Sequence, residues 1–106
     1  GNFPVWLAPT QVKVLPISDK LNSYAKTVHD GLLAQGVRSE LDDRSVTIGS
    51  KIRDAEMEKI PYIVICGRRE EKSRLMSVRR HSVGPIGLLT MEEFGKRILK
   101  EIKQKS

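Results

Sequence analysis

At 106 residues the chain is one domain's length, enough to hide roughly 60 to 70 per cent of its unfolded surface. A net charge of +6 and a pI near 9.7 favour an acidic partner, and nucleic acid is the commonest. A single cysteine excludes an intrachain disulfide framework and a cysteine-based zinc cluster, and with no membrane-length apolar run and no signal peptide the chain reads as cytosolic.

Residues 1–11 hold Phe3, Pro4, Trp6 and Pro9 and are expected as an extended lead-in, since two prolines discourage helix. A start at Gly1-Asn2 without an initiator methionine reads as a piece of a longer protein. Trp6 is expected to pack against the domain or a neighbouring one, because a lone aromatic is a poor stacking platform for bases. Val12, Val14, Leu15 and Ile17 predict a first strand. Ser18 or Asp19 then caps a helix to about Gln35, with Leu21, Ala25, Val28 and Leu32 on its apolar face and Gly36 at its C-cap. His29 lies one step off that stripe, and no second ligand stands at metal spacing from it.

Residues 37–42 alternate as a second strand. A donor-rich turn follows, with Arg44, Ser45 and Gly49, and runs into a helix whose Ile48, Ile52 and Ala55 face the core. Lys51 and Arg53 stand near the positive end of that helix, where cations oppose the macrodipole and are better explained as reaching for an anion such as phosphate. Tyr62 to Cys66 is a nearly continuous apolar strand, which makes Cys66 a buried, inert thiol. The β-α-β-α-β order implies parallel strands with right-handed crossovers. Residues 67–74 read as a charged turn holding Arg68, Arg69, Glu70, Glu71 and Lys72. Leu75, Met76 and Val78 form a short strand ending in Arg79-Arg80-His81, and residues 82–89 a turn with at most a few strand residues. Thr90-Met91-Glu92-Glu93 is a capping box that opens the last helix. The expected fold is a three-layer α/β domain: a mixed five-stranded sheet, its first three strands parallel, flanked by three helices.

No catalytic constellation emerges. Gly49-Ser50-Lys51 lacks the earlier glycine of a phosphate-binding Walker loop, because Arg44 stands there. Two histidines support neither a zinc-protease pattern nor a triad, and Asp42-Asp43 beside Arg44 is explained by capping and salt bridging. Ligands of an α/β sheet gather beyond the carboxyl ends of its parallel strands. That edge is expected to collect Arg44, Ser45, Lys51, Arg53, Arg68, Arg69 and Glu70, with Lys72 in the same basic turn and Arg79 joining if its strand pairs antiparallel. Arginines that take phosphates or guanine edges, with a carboxylate that accepts from base amino groups, suit RNA.

Two elements together carry a resemblance: the stretch DDRSVTIGSKIRDAEMEKIPYIVICG from Asp42 to Gly67, and FPVWLAPTQV from Phe3 to Val12. The chain resembles the C-terminal anticodon-binding domain of class II aminoacyl-tRNA synthetases, most of all their threonyl branch, over residues 3–104. The resemblance implies that residues 1–11 lead in from a catalytic domain and residues 12–106 read the anticodon stem-loop of tRNA(Thr) by its G and U bases. Within that site it implies Ser45, Arg53, Glu70 and Arg79 as anticodon-reading positions; Arg44 and Lys51 are expected to bind the anticodon with them, and Arg68, Arg69 and Lys72 to form a supporting basic edge. Where the family has asparagine this chain has Ser45, which shortens or removes one base contact. Arg68-Arg69 replaces an acidic-basic pair, which makes that loop more positive. The implied parent is a homodimer in the cytoplasm, or in mitochondria, that joins threonine to tRNA with ATP. ATP, magnesium and zinc are implied for its catalytic domain and no cofactor for this one. A free-standing RNA-binding or interaction module, the equivalent domain of a prolyl-type enzyme, and a small doubly wound enzyme are the alternatives.

Overall fold

The computed structural model describes residues 4–104 and places β1 (Val12–Pro16), β2 (Ser39–Leu41), β3 (Tyr62–Cys66), β4 (Met76–Arg80) and β5 (Gly84–Leu89) in one sheet. The order across it is β2-β1-β3-β4-β5, with β2, β1 and β3 parallel and β4 and β5 added antiparallel. The expected mixed sheet is present. The helices number four among the described residues rather than three: α1 (Asn22–Ala34), α2 (Ile48–Met57), α3 (Arg68–Ser73) and α4 (Met91–Gln104).

The added helix is α3, in what reads as a charged turn. It has no apolar stripe, so periodicity could not announce it. It is held by local bonds instead: Gly67 N–H donates to Glu70 Oε1 at 3.0 Å and Glu71 N–H to the Gly67 carbonyl at 2.9 Å. Arg74, in the left-handed region at φ 57°, ends it. β5 is likewise longer than its glycines and proline suggest. Gly84 (φ 101°) and Gly87 (φ 124°) supply the backbone that a tight turn and a bulge at Val78/Arg79 require.

The start of α1 also departs from expectation. A 3₁₀ turn, Asp19–Leu21, precedes it, and neither Ser18 nor Leu21 makes a side-chain cap. Elsewhere the capping chemistry is as read. Thr90 and Glu93 bond reciprocally, N–H to Oε1 at 2.9 Å and N–H to Oγ1 at 3.1 Å. The lead-in is not extended throughout: Val5–Leu7 makes a 3₁₀ turn with Val5 fully buried. Buried Gln11 holds it, donating to the Val5 carbonyl (3.0 Å) while accepting from Arg38 N–H (2.9 Å). Arg38 closes over the turn by donating to the Ala8 and Trp6 carbonyls. Phe3 lies outside the described residues.

The sheet has two unlike faces. On one, Val12, Val14, Tyr62, Val64, Met76 and Val78 pack under α1 and α4 through Tyr24, Val28, Leu32, Phe94 and Ile98. On the other, Leu15 and Ile63 meet Ala55 and Ile60, with Ile48, Ile52 and Ile65 at the margin. A partly buried polar knot fastens α4 to the strand start. Tyr62 hydroxyl donates to Glu101 and accepts from Arg97 Nε, and the Arg80 guanidinium lies 4.9 Å from the Tyr62 ring centroid. Burial, more than the Glu101 contact, raises the Tyr62 pKa. Burial also pushes the Cys66 thiol up to about 12, the signature of an inert cysteine.

Candidate nucleic-acid interface

Direct opposition in the ladder fixes which side chains share the second face. Ile63 stands opposite Arg79 and Ile65 opposite Ser77, while β5 places Leu88 beside Ser77 and Pro85 beside Arg79. Facing pairs point the same way, so Arg79, Ser77, Leu88 and Pro85 lie on the face that α2 covers farther along, over β1 and β3. The β4–β5 half of that face stays open: Leu88 is 53 % exposed and Pro85 is exposed.

The flanks of α2 differ in charge. With Ile48, Lys51, Ile52 and Ala55 turned inward, Asp54 and Glu58 fall on the flank toward β2, where they meet Arg44 (2.8 Å) and Lys13 (3.7 Å). Glu56 falls on the flank toward β4, its Oε2 2.9 Å from His81 Nδ1. Arg53, three residues before Glu56, shares that flank; it is exposed and has no ion-pair partner among the described residues. Arg53 and Arg79 therefore border the same open half of the sheet.

Lys51 is corrected. It is only 2 % exposed, and its Nζ donates to the Pro16 carbonyl at 2.9 Å. Its ammonium is a strut between α2 and β1, withdrawn from any phosphate. Arg44 is largely committed as well. Nε and Nη2 fork onto Asp42 at 2.8 and 2.7 Å, and Nη2 also reaches Asp54. The Ser45 hydroxyl donates to the Asp19 carboxylate at 3.2 Å. Beside Arg44 a cleft of about 470 Å³ is lined by Asp42, Asp43, Asp54 and Glu58 as well as Lys13. The β2 side of the expected basic edge is thus acidic, and it sets a limit to any phosphate-binding surface.

Arg79 is corrected in position. Antiparallel pairing sets it opposite Ile63, three residues before Cys66, hence about 10 Å back from the carboxyl edge. It reaches RNA from the open face, not from that edge. Its Nε is buried and makes no hydrogen bond. Glu70 does lie at the carboxyl edge, with Oε1 occupied by Gly67 N–H. Arg68, Arg69 and Lys72 stand exposed on α3 without ion-pair partners among the described residues. Sequence reasoning missed Ser77 and Leu88, whose exposure depends on a register that no local pattern prints.

The Asp42–Arg44 clasp gives a pH prediction. Hydrogen bonds from Arg44 hold the Asp42 carboxyl below the usual range. A lowered folded pKa stabilises above the unfolded value, about 3.9, and that stability is lost as pH falls through the folded one. Arg44→Ala should therefore lower the melting temperature most near neutrality. Its gap to the parent chain should close below about pH 4. A gap that stays constant from pH 7 to pH 3 would remove the clasp from the account.

An open sheet half edged by two arginines, with a carboxylate and three free cations at its end, is a surface suited to single-stranded RNA. A family model described as the anticodon binding domain matches residues 11–101. The chain belongs to that family. This anticodon-binding domain is 50 % identical over its full length to a threonine–tRNA ligase of Chlorobium phaeobacteroides. It is 52 % identical to that of Prosthecochloris aestuarii, and 50 % over 105 residues to that of Clostridioides difficile. In each case it spans 16 % of the relative's length. The crystal structure of the RNA binding domain of a Cryptosporidium parvum threonyl-tRNA synthetase superposes with a TM-score of 0.90 at 29 % identity, covering 95 % of this chain and 26 % of that one. A prolyl-tRNA synthetase from the same organism shares the fold, with a TM-score of 0.84 at 23 % identity over 98 % of this chain and 23 % of that one.

Proposed function

We propose that the domain serves a threonine–tRNA ligase by reading the anticodon of tRNA(Thr), its G and U bases splayed over the open half of the sheet. The observation that carries this is the pair Arg53 and Arg79 flanking an uncovered strand surface, on a chain whose whole length matches threonine–tRNA ligases. Arg79 and Glu70 read base edges. Arg53, Arg68, Arg69 and Lys72 hold backbone phosphates. Ser45 and Arg44 reach the loop only where Asp19 and the two clasped carboxylates leave them free. Lys51 plays no part in contact. The longer protein activates threonine with ATP in a separate catalytic domain, acts as a homodimer in the cytoplasm or in mitochondria, and uses magnesium and zinc there. In this chain, no three His, Cys, Asp or Glu side chains come together as metal ligands among the described residues. No helix is long and apolar enough to cross a membrane among them either.

The test is a titration with the tRNA(Thr) anticodon stem-loop and with the same stem-loop carrying altered second and third anticodon bases. Binding should prefer the cognate loop, and each neutralised phosphate on the single strand should contribute about −0.7 to the slope of log K against log salt. Equal affinity for both loops, or affinity indifferent to salt, would reject the proposal.

A further inference from the structure

β5 carries one residue more than the strand it pairs with. Across the ladder Leu89 meets Met76, Leu88 meets Ser77, Gly87 meets Val78, Pro85 meets Arg79 and Gly84 meets Arg80, so Ile86 is passed over. In a regular strand, residues three apart point to opposite faces. The extra residue cancels that alternation and leaves Pro85 and Leu88 on the same side, the open one. Ile86 packs with the core under α1 and α4, and Gly87 has no side chain to project. The edge strand thus turns two exposed apolar side chains to the open face, with none between them. Beside them on β4 stand two polar ones. Ser77 is half-buried, and its hydroxyl has no hydrogen-bond partner among the described residues. Arg79 has its Nε likewise unpartnered. Neighbours across a ladder lie about 5 Å apart and alternate residues along a strand about 7 Å, so these four residues make a patch the size of one nucleobase. One exposed leucine calls for no explanation. A bulge that turns a second apolar residue to the same uncovered face does.

We propose that this patch seats one unstacked base of the anticodon loop, its ring on Pro85 and Leu88 and its edge against Ser77 and Arg79, so that Ser77 and Leu88 help to determine specificity. The inference rests on the function proposed above and adds to it the floor beneath the base. A base drawn out of its stack has an apolar ring face and a polar edge that must keep its hydrogen bonds. The apolar column answers the first need and the polar column the second. Arg79 offers donors, and the Ser77 hydroxyl either donates or accepts. No carboxylate stands in the patch, and Glu56 on the facing flank of α2 is engaged with His81. The polar column therefore suits an edge rich in acceptors, such as O6 and N7 of guanine or the carbonyl oxygens of uracil. Arg53, exposed at the border of the same face, and Arg79 give the patch a positive margin. That margin favours a nucleotide with its phosphate over an apolar segment of protein.

The test is a coupling experiment with the cognate anticodon stem-loop, intact and with an abasic nucleotide at each anticodon position in turn. Leu88→Thr keeps a strand-forming residue and removes apolar surface. Ser77→Ala removes the hydroxyl alone, and melting curves verify folding of both. Each should weaken binding of the intact loop about fivefold. Neither should change the salt slope, because neither side chain neutralises a phosphate. Both losses should vanish with one and the same abasic loop, the one that also cancels the effect of Arg79→Ala. Losses that persist in every abasic loop, or that vanish at different positions, would overturn the proposal. So would undiminished affinity of Leu88→Thr, which would leave Leu88 to a protein partner or to solvent. A parent chain that binds cognate and altered loops equally would instead bring down the functional reading, and the seat with it.

Discussion

Replacing Lys51 with alanine should cost the fold about 2 to 4 kcal/mol while leaving the salt slope of RNA binding unchanged. The side chain is 2 % exposed, so truncation removes buried methylenes and opens a cavity between α2 and β1. It also strips the Pro16 carbonyl of its donor, 2.9 Å away. Lys51→Met keeps most of the packed stem and loses only the charge and the bond, and should cost about half as much. Urea unfolding of the three chains, with equal slopes and shifted midpoints, checks this. A Lys51→Ala chain as stable as its parent, but binding RNA with a shallower salt slope, would return the ammonium to a phosphate.

Arg79→Ala should weaken binding of the cognate anticodon stem-loop by about 5- to 150-fold, roughly 1 to 3 kcal/mol, and weaken an altered loop far less. A guanidinium fork reads a base edge by two parallel bonds, and the strand under Arg79 fixes the direction of that fork. In the free chain its Nε is buried without a partner, so removing it forfeits no internal bond and the melting temperature should hold. Arg79→Lys should fare nearly as badly on cognate RNA, because a point charge cannot replace the fork. Equal weakening of both loops would make Arg79 a phosphate ligand, and a lower melting temperature would make it part of the fold.

How far these features are legible in sequence depends on whether their cause is local. β1, β3 and α1 announce themselves through apolar runs and a 3.6-residue stripe, and the Thr90–Glu93 box through two residues three apart. Those causes lie within one element. α3 lacks any apolar stripe and exists through the Gly67–Glu70 bond, which looks like any charged turn in the sequence. β5 is hidden by Gly84, Pro85 and Gly87, residues that ordinarily signal a turn and here accommodate a bulged ladder.

The site divides the same way. Arg53 and Arg79 were identifiable as basic residues near strand and helix ends, but the face they share follows from pairing with Ile63 and from the flank of α2. Lys51 misleads because a lysine in the first turn of a helix suggests an anion. Its true partner, the Pro16 carbonyl, lies 35 residues away in sequence. Arg44 misleads for a related reason. Asp42 is two residues off and visible, while Asp54 joins the clasp only once α2 folds back on β2.

The most direct test of the account is to map where the anticodon loop sits. Backbone amide shifts of the ¹⁵N-labelled chain should be followed as the cognate stem-loop is added. The open half of the sheet should respond, with the largest changes at Arg53, Ser77, Arg79 and Leu88 and further ones at Glu70 and along α3. Lys51 and the acidic cleft around Asp42 and Asp54 should move little. Changes confined to α1 and α4, on the covered side of the sheet, would contradict it.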